Sequence, residues 1–186
     1  MKTTENPNRV NGIDLNVLNG TIGAIKDDPA LGSCTFRASN RWIDAAHNVS
    51  TNSGFYGAGQ EFAHKQAFEL HADEPPILAG KDEGANPVEH VLDALAECVT
   101  TSMVAHAAVR GIRIESLESE LEGDIDLRGF LGLDPAVPKG YTDIRVKFKV
   151  ETDPENLEKL RALAGFSPVY NTLTSGARVQ IQIEPK

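Results

Sequence analysis

The run from Asn86 to Gly111 carries both the start and the stop of one long helix, and the rest of the chain has to fold around it. Asn86 suits an N-cap, Pro87 the first helical position and Glu89 the third, where a carboxylate reaches back to the cap amide. Arg110 puts positive charge in the last turn, and Gly111 can take the left-handed conformation that ends a helix. Between these signals Val88, Val91, Leu92, Leu95, Val99, Met103 and Ala107 recur by threes and fours, so the helix presents an apolar stripe that a partner has to cover. Cys98 lies mid-helix, about 60° from the centre of that stripe, beside Ala94, Leu95 and Ser102. Two readings of it stand side by side: a small hydrophobe at the edge of the core, or a reactive thiolate. The second needs a cation, a metal or a positive helix end. A mid-helix position between Glu97 and Val99 offers none, so an activating cation has to come from another element or another subunit.

The bounds are simple. A chain of 186 residues, 40% apolar and 24% charged, is large enough for one main domain with a real core. A net charge of −9 points away from nucleic acid and from anionic membranes as partners. No apolar run approaches the length of a membrane span, and the start MKTTENPNRV lacks the apolar core of a secretory signal, so a cytoplasmic location is expected. Cys34 and Cys98 make no disulfide framework and no CxxC pair. His47, His64, His71, His90 and His106 fall into no HExxH or HxH pattern, and the loop Asp73 to Pro87 holds no GxGxxG or GxxxxGK[ST], so neither metal nor nucleotide cofactor is expected.

In chain order, residues 1–33 are polar and punctuated by Asn-Gly at 11–12 and 19–20, which predicts an N-terminal arm with a short strand or half-turn at Thr21–Ile25. The main domain is expected over 34–186. Alternation predicts a strand from Cys34 to Ile43, with Cys34, Phe36, Ala38 and Trp42 facing inward and Arg37 and Arg41 outward. His47–Gly59 reads as a loop, and Gln66–His71 as a strand with Phe68 and Leu70 inward. After the long helix, an extended region from Ile112 to Leu127 should break near Glu115–Ser116, where the apolar positions change parity. Thr142–Thr152 is the clearest strand. Asp153-Pro154 and Ser167-Pro168 open two short helices, and Val179–Glu184 should close the fold as a last strand. The sum is an α+β domain.

The stretch DEPPILAGKDEGANPVEHVLDALAECVTTSMVAHAAVRGI, Asp73 to Ile112, resembles the signature of the OsmC / organic-hydroperoxide-resistance (Ohr) family. Ser167-Pro168-Val169 and the final strand fit the same pattern. The resemblance implies an intertwined homodimer, with antiparallel sheets wrapped around long central helices and a site at the subunit interface. There a cysteine thiolate attacks an organic hydroperoxide and becomes a sulfenic acid. Cys98 matches that cysteine. The family's resolving cysteine falls on Ser167, which cannot form a disulfide. The family's glutamate follows the helix-starting proline directly; here Val88 stands there and the acid is Glu89. Winding puts Glu89 opposite Cys98 and about 13 Å away along the axis, so within one chain it cannot serve the thiol. The stretch that holds the family's arginine, Ile43–Ser50, has His47 and no arginine, leaving Arg37, Arg41 and His47 as substitutes. Cys34 could resolve a sulfenic acid if its Cα came within about 4.4–6.8 Å of that of Cys98.

The activity implied by the resemblance is thiol-dependent reduction of organic hydroperoxides by a one-cysteine route. Its partners would be a second copy of the chain, a small apolar hydroperoxide and an external thiol reductant. The alternative is a non-catalytic, ligand-binding or stress-related dimer in which Cys98 only lines an apolar pocket.

Overall fold

The computed structural model describes residues Asn8–Pro185, and its architecture is α+β. The chain divides into two compact units, one of residues 14–91 and one of residues 92–186 together with those up to Ile13.

The 14–91 unit opens with a helix, α1 (Leu15–Asp27), where the sequence predicts a short strand or half-turn. Asp14 caps it, its carboxylate accepting from the amides of Asn16 and Val17. Leu15, Leu18, Ile22 and Ile25 recur at helical spacing and are each partly buried, and this periodicity outweighs Gly20 and Gly23. Four strands follow: β1 (Thr35–Phe36), β2 (Ser39–Asp44), β3 (His47–Gly57) and β4 (Gln60–Ala72). β1 and β2 pair with successive parts of one edge of β3, and β4 pairs with the other, all antiparallel. The central strand is thus the segment whose Asn, Ser and Gly content predicts a loop. Ladders on both edges satisfy its backbone, and pairing of that kind overrides weak intrinsic preference.

The predicted inward face of Cys34–Ile43 is also corrected. Cys34 is exposed, Phe36 is 75% exposed and Trp42 68%. Alternation tells which side chains share a face and says nothing about what covers it. Phe36, Phe55 and Phe62 line up across three strands by register, with ring centroids 5.3 and 5.2 Å apart. On β4, Phe68 and Leu70 are half exposed rather than inward.

The long helix α2 (Pro87–Val109) begins as the sequence predicts. The Asn86 side chain accepts from the Val88 amide at 3.0 Å, and the Glu89 carboxylate accepts from the Asn86 amide at 2.8 Å, a closed capping box. At the other end Gly111 has φ +69° and the helix stops.

In the 92–186 unit, Leu95, Val99, Met103 and Ala107 of α2 form the spine of the core with Ile112, Leu160 and Leu163. Against it pack the inner faces of the hairpin β5 (Ser116–Asp124) and β6 (Asp143–Glu151), through Leu117, Leu121, Ile144, Phe148 and Val150. β5 begins at the residue where the parity change predicts a break. The outer face of the hairpin sets acids against bases, with Glu118 opposite Lys149, Glu120 opposite Lys147 and Glu122 opposite Arg145. Arg145 holds Asp124, Asp143 and Glu122 together, and its guanidinium pulls the Asp124 carboxyl below the usual carboxylate range. Two short helices follow, α3 (Leu157–Leu163) and α4 (Pro168–Ser175).

The last predicted strand is not formed. Residues 176–185 lie in neither helix nor strand, and Val179, Ile181 and Ile183 are 79, 83 and 91% exposed. The alternating pattern is present in the sequence, but a strand exists only where another strand accepts its hydrogen bonds. At the opposite end of the chain, the Asn11-Gly12 pair makes a tight turn with both φ angles positive. The Asn11 amide donates to the Ile112 carbonyl and accepts from the Ile114 amide, each at 2.9 Å, and so grips the backbone on both sides of Arg113.

Candidate functional site

Cys98 is a free thiol of intermediate burial on α2, next to the buried stripe of Leu95, Val99 and Met103. One turn before it stand Ala94 and Leu95 and one turn after it Thr101 and Ser102, so its surroundings on the helix are apolar on one side and hydroxyl-bearing on the other. Its place on the helix follows from spacing alone: a residue three after Leu95 and one before Val99 has to lie at the margin of the stripe. Among the described residues no hydrogen bond or ion pair reaches the sulfur within its own unit.

Ser167 is fully buried and caps α4, its hydroxyl accepting from the Tyr170 amide at 3.2 Å. That is a structural duty which the Ser-Pro pair predicts. Phe166, immediately before it, stacks on His106 of α2 at 4.2 Å between centroids, with the Arg110 guanidinium 5.7 Å from the Phe166 ring. Arg110 donates to Nδ1 of His106 at 3.2 Å, which leaves the ring proton on Nε2. Burial, then the Arg110 charge, depresses the His106 pKa. This grouping was not singled out from the sequence, although His106 and Arg110 stand one helical turn apart, the spacing that brings side chains together.

The other candidates lie in the 14–91 unit. Glu89 is engaged at the Asn86 cap. Arg37 makes a two-pronged ion pair with Glu61, at 2.7 and 2.9 Å. Arg41 is exposed on β2. His47, mostly buried, places Nδ1 3.2 Å from the Glu83 carboxylate and Nε2 2.9 Å from Nδ1 of His71. The sequence offered His47 as a lone loop histidine. The structure puts it at the start of β3 in a cluster whose members, His71 and Glu83, no sequence spacing announces, because strand pairing and a loop bring them together.

Asp73 anchors that loop. It is 1% exposed and accepts from the amides of Glu74 at 2.8 Å, Lys81 at 3.0 Å and Glu83 at 3.2 Å. Gly80 and Gly84 let the loop turn this tightly, since a Cβ on either would strike the carbonyls of Glu74 and His71. Burial pushes the Asp73 carboxyl up, but the three amides with nearby His47 pull it down further, and it ends below the ordinary carboxylate value. A depressed carboxylate stabilises the folded state above its unfolded pKa of about 3.9, and that contribution is lost as pH falls through the folded value. Asp73→Asn should therefore flatten the loss of stability between about pH 5 and pH 2, measured as denaturation midpoints across that range. An unchanged slope would remove Asp73 from the acid response.

Among the described residues no group of three or more His, Cys, Asp or Glu side chains is placed to hold a metal ion, and no helix is long and apolar enough to cross a membrane.

The family model for OsmC-like proteins matches residues 80–182, more than half of the chain. Solved structures of three proteins share the fold. One, from Psychrobacter arcticus, is provisionally described as an osmotic stress induced and detoxification response protein; it is 15% identical over 74% of this chain and 88% of its own, with a TM-score of 0.56. An OsmC-like protein of Mycoplasma pneumoniae is 17% identical over 75% and 87%, with a TM-score of 0.55. An OsmC-like protein of unknown function from Vibrio cholerae is 14% identical over 74% and 92%, with a TM-score of 0.53. A comparison with curated proteins finds no match.

Proposed function

The chain belongs to the OsmC-like family, and from that premise we propose that it reduces organic hydroperoxides at Cys98 by a one-cysteine route, as a homodimer supplied by an external thiol. The observation that carries the reading is the position of Cys98, a free, half-buried thiol at mid-helix at the margin of the buried stripe of Leu95, Val99 and Met103. The apolar stripe beside the thiol suits the organic part of a hydroperoxide, and partial burial limits solvent while leaving the sulfur reachable. The thiolate attacks the outer peroxide oxygen, the O–O bond breaks, and the alkoxide takes a proton to leave as an alcohol. Cys98 is then a sulfenic acid. One external thiol condenses with it to a mixed disulfide and releases water, and a second thiol attacks that disulfide, restoring Cys98 and leaving as a small-molecule disulfide. Ser167, buried at the cap of α4, has no part in that exchange, which is why the thiol has to be external.

Two further observations support the second copy. Large apolar side chains stand exposed on Phe36, Trp42, Phe68 and Leu70, and the alternating segment with Val179, Ile181 and Ile183 has no strand beside it among the described residues. The positive charge that the thiolate needs is then a matter for the partner. Arg37 is held by Glu61 and His47 by Glu83, which leaves Arg41 as the candidate.

The commitment of Glu89 to its cap and Arg37 to Glu61 also favours a second reading, in which Cys98 only lines a pocket for an apolar ligand. Intact mass after exposure to a stoichiometric organic hydroperoxide, with a sulfenic-acid trap present, separates the two. The peroxidase gains one trapped oxidation at Cys98 at low peroxide concentration. A merely pocket-lining thiol reacts no faster than a small free thiol, and that result removes the enzymatic reading.

A further inference from the structure

His106, Arg110 and Phe166 form a cluster at the C-terminal end of α2 that no part of the peroxide chemistry uses. Arg110 stands one residue past the helix, and its side chain folds back along the last turn. One guanidinium nitrogen, Nη1, donates to the His106 carbonyl at 3.0 Å and to Nδ1 of the His106 ring at 3.2 Å. The first bond caps one of the last carbonyls of the helix, while the Arg110 amide goes to the Ala107 carbonyl at 3.0 Å. The second bond exists only while Nδ1 is bare, because guanidinium and imidazolium are both donors with nothing to accept. Phe166 closes the arrangement from the other side. Its ring stacks on His106 with centroids 4.2 Å apart and planes inclined by 29°, and the Arg110 Cζ stands 5.7 Å from the same ring.

We propose that His106 is an acid-operated release for Arg110, holding the guanidinium on the end of α2 while the imidazole is neutral and letting it go when Nδ1 takes a proton. At that step two donors and two positive charges meet across 3.2 Å. The guanidinium is the group that moves, since Arg110 is exposed whereas His106 is partly buried and stacked on Phe166. The charge acting on the ring is that of Arg110. The turn packed against it, Ala164–Phe166, and Ser167 after it carry no ionisable side chain, and neither do Ser102 and Met103 in the turn of α2 before it. Among the described residues, therefore, no carboxylate offsets the repulsion. Burial, and then the Arg110 charge, set the His106 pKa below the ordinary 6.5. The hold is complete above that ordinary value and is lost as pH falls through the lower, folded one. Acid thus delivers a released guanidinium, and a last turn with one carbonyl uncapped, at the end of the helix that carries Cys98. This holds whether or not Cys98 reduces peroxides.

NMR of the full chain between about pH 8 and about pH 5 tests this. The two Nη groups of Arg110 interchange by rotation of the guanidinium, which is slow while Nη1 is held. Rotation should quicken about 2- to 10-fold on acidification, the scale of one lost hydrogen bond. Its midpoint should coincide with that of the His106 ring and lie below the ordinary 6.5. At the alkaline end the ring should carry its proton on Nε2, with Nδ1 bare. His106→Gln, which can accept from Arg110 but takes up no proton, should abolish the step. Arg110→Gln, which keeps a donor and removes the charge, should raise the His106 midpoint. Rotation unchanged across the His106 titration, a step that persists in His106→Gln, or an unmoved midpoint in Arg110→Gln overturns the release. Should the variants not fold, the wild type decides alone: an Arg110 step displaced from the His106 midpoint, or a neutral ring protonated on Nδ1, overturns it.

Discussion

Cys98→Ser is expected to lower the rate of organic hydroperoxide reduction by at least about 10³-fold, the scale on which removal of a covalent nucleophile acts. A serine hydroxyl keeps nearly the same volume on the flank of α2, so the fold should be untouched. What is lost is an ionisable, polarisable sulfur, and a hydroxyl neither forms an anion near neutral pH nor accepts oxygen from a peroxide. The measurement is peroxide loss with catalytic protein and excess dithiol, alongside the thermal midpoint of the variant. Cys34→Ser should stay within about twofold of wild type, since removing a thiol outside the reacting set leaves transition-state stabilisation unchanged. A wild-type rate equal to that of a small thiol would sink the peroxidase. Equal losses in both variants would bring Cys34 into the cycle as resolving thiol and end the one-cysteine route.

Leu160→Ala should destabilise the 92–186 unit by about 2–5 kcal/mol, the cost of a buried leucine whose site cannot collapse. Leu160 is 2% exposed and shares its cluster with Leu163, Val99 and Met103. α3, Leu157–Leu163, is a short helix, and such a length does not hold itself in water, so its order comes from these two leucines. Against a total stability of about 5–15 kcal/mol the loss is a large fraction. Urea unfolding should show a lower midpoint with an unchanged slope, and Arg161→Ala on the exposed side of the same helix should change little, within about 0.5 kcal/mol. A Leu160→Ala midpoint equal to that of Arg161→Ala would mean that α3 is not part of the cooperative core.

The parts of the fold readable from the sequence were those whose signals are local. Asn86, Pro87, Glu89 and Gly111 fix the ends of α2 by side-chain chemistry within a few residues, and the parity of apolar positions located the start of β5. Errors came where the deciding partner is remote. β3 is rich in Asn and Ser and became the central strand because β1, β2 and β4 flank it. Val179, Ile181 and Ile183 carry a strand pattern and found no strand to join among the described residues. The exposed rings of Phe36 and Trp42 show the same limit, since periodicity does not reveal what covers a face. Cys98 was legible because helical winding alone decides its position. The Glu83–His47–His71 cluster was not, because strand register and a glycine-dependent loop assemble it.

The grip of Asn11 on the backbone around Arg113 joins residues about a hundred positions apart, and everything between Asp14 and Val91 belongs to the other unit. One unit is therefore an insertion within the sequence of the other. During synthesis the inserted unit is complete first, as a continuous stretch, and domains generally fold as units in that order. Asn11 is made before the inserted unit and finds its place after it, waiting until Ile112 and Ile114 have been made.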